Sequence, residues 1–137
     1  MKYSRSELRE KVMVILYQID FYKREKIEYD TKFVIKENLD IENEFVNSLV
    51  YGVGEKENEL VKIIEKYLKN WSFKRLGYTD QAILKLSVFE LLFMSTPNIV
   101  VINEALELAK KYSDEKVVPM INAVLDNILD NEEENEL

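Results

Sequence analysis

Between Thr79 and Met94 the residues Ala82, Ile83, Leu84, Leu86, Val88, Phe89, Leu91, Leu92 and Phe93 fall on nearly every side of a helical wheel. A helix with no polar face has nothing to give to water, so it belongs at the centre of a bundle, covered by other elements. The rest of the chain reads as the cover. From Ser4 to about Arg24, Leu8, Val12, Ile15, Leu16, Ile19 and Tyr22 recur at spacings of three and four, and Ser4 with Glu7 forms a capping-box pattern at the start. Lys2, Arg5, Arg9 and Tyr17 lie along one flank of that stripe. A short helix is expected over Tyr29–Leu39, with Phe33, Val34 and Ile35 inward. A long periodic stretch from Ile41 to Lys69 carries Phe45, Leu49, Val53, Leu60, Ile63, Ile64, Tyr67 and Leu68. Gly52 and Gly54 within it bend the helix, split it or admit a close neighbour. Asn70–Gly77 breaks the pattern before the central helix, and Pro97 punctuates the end. Two more helices follow, over Val100–Tyr112 and from about Pro119, where the missing N–H suits a first turn.

Three Gly and two Pro in 137 residues leave little turn chemistry for short strands, which again favours long helices. The length suits one folding unit. Residues 1–130 are read as a single all-helical domain, and the acidic stretch 131–137 as a disordered tail too poor in apolar residues to pack. No run of about 18 uncharged apolar residues occurs, and the N-terminus is charged where a secretory signal is apolar, so a cytoplasmic protein without membrane contact is expected.

The composition excludes much chemistry. Without Cys there is no disulfide, thiolate metal site or Cys nucleophile, and without His the commonest general base and nitrogen ligand are missing. The 26 acidic residues pair by abundance alone, and no EF-hand loop accompanies them. Gly52-Val53-Gly54 has neither the third glycine of a dinucleotide loop nor a Walker lysine. The expectation is a protein that is not an enzyme and holds no cofactor or metal. A net charge of −7 opposes indiscriminate coating of nucleic acid, so any RNA contact is local. Tyr17, off the core stripe, either stacks on an unpaired base or covers the core edge.

Several motifs in order carry a family resemblance. Thr79-Asp80-Gln81-Ala82-Ile83-Leu84-Lys85-Leu86 is followed by Phe89-Glu90-Leu91-Leu92, Pro97, the run Val101–Tyr112 and Ile121-Asn122-Ala123-Val124-Leu125-Asp126. Upstream stand Ser4-Arg5, Arg9-Glu10, Leu16-Tyr17-Gln18 and Leu49-Val50-Tyr51-Gly52-Val53. This order and spacing resemble the NusB family of transcription antitermination factors.

The resemblance implies an all-α fold of about seven helices in two packed subbundles. It implies two ligands: the ribosomal protein NusE and the single-stranded boxA element of ribosomal RNA leader transcripts. It also implies a place in the RNA polymerase antitermination complex, supporting processive rRNA transcription. By residue, it implies RNA contacts at Lys2, Arg5, Arg9 and Tyr17 and a NusE contact at Asp80, in a monomer or homodimer. The chain departs from the family pattern at Ser6 and Glu7, which thin the basic segment, and at Gln81, Lys85, Ala123 and Val117-Val118. The competing reading is a helical protein–protein adaptor without intrinsic RNA binding. A similar helical domain occurs in ribosomal RNA cytosine methyltransferases, but this polypeptide has no Gly-rich cofactor loop or Cys nucleophile for methyl transfer.

Overall fold

The computed structural model describes residues 2–132 and, within them, six α-helices and a 3-10 turn, with no strand. The helices are α1 (Arg5–Arg24), α2 (Thr31–Asn38), α3 (Glu44–Tyr67), α4 (Tyr78–Phe93), α5 (Asn98–Tyr112) and α6 (Val117–Asn131), and the 3-10 turn spans Phe73–Arg75. The capping box forms as the sequence suggests: the Glu7 amide donates to Ser4 Oγ at 3.1 Å and the Ser4 amide to Glu7 Oε1 at 2.9 Å. Two of the first turn's orphan donors are thereby satisfied.

The central position expected of the Thr79–Met94 segment is the one α4 occupies. It packs against α1, α3, α5 and α6. The helices α1, α2 and α3 make up one subbundle, α5 and α6 pair in the other, and α4 belongs to both. Its apolar residues Ala82, Ile83, Leu84 and Val88 are fully buried.

Gly52 and Gly54 have different outcomes. A Cβ at Gly52 would lie 2.1 Å from the Phe89 ring, so this glycine is what lets α3 approach α4. Among the described residues, nothing beyond its chain neighbours and the helix's own backbone lies within 4 Å of a Cβ at Gly54. The helix continues past both and bends at Lys56, whose φ of −108° and ψ of 15° leave the helical range. It begins later than the periodicity suggests, at Glu44, because Asn43 caps it by accepting from the Val46 amide at 3.0 Å.

The last helix starts at Val117, which puts Pro119 in its first turn, and runs to Asn131. The expected tail therefore begins inside α6. Glu132, beside it, accepts hydrogen bonds from Lys66 Nζ at 2.7 Å and the Tyr67 hydroxyl at 2.5 Å. The remainder of the tail, residues 133–137, lies outside the described residues. Among the described residues no helix is long and apolar enough to cross a membrane.

Candidate nucleic-acid interface

The amino-terminal end of α1 gathers the cationic candidates, and the structure treats them differently. Lys2 Nζ lies 3.6 Å from Asp40 Oδ2 with both side chains well exposed, a pairing that water and salt screen heavily. Arg5 is exposed, and its guanidinium lies over the Phe45 ring at 4.1 Å from the centroid. No described carboxylate pairs with it.

Arg9 is enclosed, at 4% exposure. Its Nε and Nη2 donate to the two carboxylate oxygens of Glu90 in α4, at 2.9 and 2.6 Å, and Nη1 donates to Glu104 Oε1 in α5 at 3.0 Å. The same Glu104 oxygen accepts from the Ser6 hydroxyl. Burial acts to lower the Arg9 pKa, but the hydrogen bonds and charges of Glu90, then of Glu104, outweigh it and hold the guanidinium above its ordinary value. The structure thus leaves Arg5 open and turns Arg9 inward. A helical wheel cannot distinguish the two, since Glu90 and Glu104 arrive from α4 and α5.

Tyr17 is 41% exposed, on the solvent side of α1. It stands about 18 Å along the helix from Arg5 and roughly 120° around it, so the two share an element but make no single cluster.

The central helix raises a second problem, because the polar side chains Asp80, Lys85, Ser87 and Glu90 on it are taken from water. Lys85 is buried and is matched by Asp20 of α1 at 2.8 Å and Glu57 of α3 at 2.9 Å. Burial alone would raise the Glu57 pKa, but the charge and hydrogen bond of Lys85, then those of Lys23, bring it below the ordinary carboxylate value. Asp80, in the first turn of α4, is 8% exposed and accepts from the Ser113 hydroxyl just beyond α5. It is a constrained carboxylate, placed where the helix dipole favours negative charge.

With this geometry in view, residues 6–130 match the family described as the NusB family. The chain belongs to the NusB family. It is similar to the transcription antitermination protein NusB of Macrococcus caseolyticus, 43% identical over 130 residues that cover 93% of this chain and 98% of the relative. It is 39% identical to the one from Enterococcus faecalis over 137 residues, covering 92% and 89%. Among solved structures, T. maritima NusB superposes with a TM-score of 0.83 at 30% identity over the full length of both chains. A chain in a complex of antitermination factors NusB and NusE with double-stranded RNA gives 0.80 at 30% identity, covering 95% and 98%. The all-helical NusB fold expected from the motifs is the fold present, and these relatives belong to transcription antitermination, not catalysis.

In this NusB-family chain the sequence reading missed Phe45, Glu90 and Glu104, which organise the arginines. A signal for Glu90 did exist. A charge in the middle of a helix that is apolar on every side must find a partner of opposite sign, and that argument leads from Glu90 and Lys85 to buried ion pairs. Nothing in the sequence names which partner.

Proposed function

We propose that this NusB-family chain acts as a transcription antitermination factor that, with the ribosomal protein NusE, binds the single-stranded boxA element of ribosomal RNA leader transcripts and supports processive rRNA transcription by RNA polymerase. The observation that carries the reading is the likeness, at TM-score 0.80 over 95% of the chain, to a chain solved in a complex of antitermination factors NusB and NusE with double-stranded RNA. The residues are consistent with it. Arg5 is an exposed cation without a carboxylate partner among the described residues, Lys2 is only loosely engaged, and Tyr17 presents a ring for stacking. An acidic protein gains from a partner that brings positive charge to the phosphates. Asp80 is the candidate contact to NusE.

The test is a titration of labelled boxA oligonucleotide with the protein alone and with NusE. Binding that strengthens when NusE is present supports the proposal, and absence of binding in both mixtures overturns it. Replacing Asp80 with Asn keeps an oxygen to accept from Ser113 while removing the charge, so NusE affinity should fall roughly tenfold or more with little change in the fold. The adaptor reading is favoured by one observation, the consumption of the Arg9 charge by two carboxylates. It predicts that NusE binds while boxA does not bind to either mixture.

A further inference from the structure

Two guanidiniums share one aromatic ring at the start of α1. Arg5 lies 4.1 Å and Arg9 5.1 Å from the Phe45 centroid. Placed side by side, two cations repel, yet here only one of the charges is left uncompensated. Glu90 grips Arg9 with both oxygens, and Glu104 takes a third N–H. Phe45 is itself buried, at the start of α3, so its ring cannot drift. Ser6 ties the first turn of α1 to the same Glu104 oxygen.

We infer that Arg9 and Phe45 are positioning residues for RNA binding: Arg9, neutralised by Glu90 and Glu104, fixes the Phe45 ring and the first turn of α1, and that ring holds the Arg5 guanidinium ready for a phosphate. This deepens the proposed function and rests on it. A long side chain on a helix end samples many rotamers, and ordering one at the moment of binding weakens affinity. A ring face that holds a guanidinium orders it beforehand without consuming its hydrogen-bond donors. Arg9 in this arrangement does not touch the RNA.

The experiment measures boxA oligonucleotide affinity in the presence of NusE, across a salt series, well below each variant's melting temperature. Phe45→Leu removes the ring and keeps an apolar core residue. The joint change Arg9→Gln and Glu90→Gln removes the buried pair together, and leaves only Glu104, part-exposed and still accepting from Ser6, without its cation. Each should weaken binding about two- to twelvefold, the loss expected when one side chain must be ordered on binding. The slope of log affinity against log salt should stay at the wild-type value, because no phosphate contact is lost. Arg5→Ala should shrink that slope by about 0.7, the contribution of one phosphate on a single strand. Adding Phe45→Leu to Arg5→Ala should then cost nothing further, which a merely structural role for the ring does not predict.

A slope reduced by about 0.7 in the Arg9 and Glu90 variant shows Arg9 on a phosphate and overturns the inference. So does full additivity of Phe45→Leu with Arg5→Ala, or unchanged affinity in both positioning variants. If wild-type protein binds no boxA with NusE present, the functional reading fails first, and the two failures remain distinct.

Discussion

Arg9 holds its charge in a place where an isolated ion would be intolerable, and the consequences of disturbing it depend on what is left behind. Replacing Arg9 with Met leaves Glu90, fully buried, without its partner. Loss of about 3 to 5 kcal/mol of unfolding free energy is expected from urea denaturation, as for other broken buried pairs. Replacing Arg9 and Glu90 together by Gln should cost a small part of that, because the desolvation penalty disappears with the charges. Equal losses in the two variants would show that packing, rather than uncompensated charge, sets the cost. Much at this scale was legible from spacing: the inward Leu8, Val12, Ile15 and Leu16, the Ser4–Glu7 cap, and the outward Tyr17. Arg9 was not, because spacing gives an angle around one helix and says nothing of the carboxylates that other helices bring to it. Asp80 shows the same gap. Its position at the start of α4 is readable, but its burial under Ser113 depends on where α5 ends.

At the scale of an element, α3 gives a paired test. Gly52→Ala sets a methyl against the Phe89 ring and should destabilise the protein by about 1 to 3 kcal/mol, as overpacking does. Gly54→Ala enters open space on a helix and should stabilise by roughly 0.5 to 1 kcal/mol. Thermal melts of the two variants should therefore move in opposite directions. The sequence marked both glycines and left three roles open; only the placement of Phe89 on α4 separates them. The far end of α3 is tied to the end of α6, where Glu132 meets Lys66 and Tyr67. The hydrogen bond to Glu132, with its charge and some burial, raises the Tyr67 pKa to about 12. The hydrogen bonds from Lys66, then Tyr67, lower that of Glu132. Glu132→Gln should return the Tyr67 titration, followed by ultraviolet absorbance, toward 10, the ordinary tyrosine value. The acidic composition of this stretch suggested a tail from residue 131, since it is poor in apolar residues that would advertise packing; the contact Glu132 makes is polar.

For the whole molecule, the ionisable groups define a broad plateau of stability. Glu7, Glu10, Glu57 and Glu132 all have pKa values lowered from 4.5 in the folded state. Their contribution is fully present above the unfolded value and is lost as the pH falls through the lower folded values. Tyr67, raised to about 12, contributes below its unfolded value of 10 and loses that contribution as the pH rises toward 12. No His titrates between these limits. Urea midpoints should therefore be nearly constant from about pH 6 to 9 and fall in acid; a step near pH 6.5 would contradict this. Because α4 belongs to both subbundles, fluorescence of the single Trp71 and far-UV circular dichroism should report one coincident unfolding transition. The same sharing imposes an order on biosynthesis. The first three helices leave the ribosome before residues 78–93, so the face of α3 around Gly52 that packs on α4 waits without the rod that will cover it. The nascent chain carries a sticky, half-dressed surface through most of its first half, and the interval before α4 emerges is when chaperones have the most to shield.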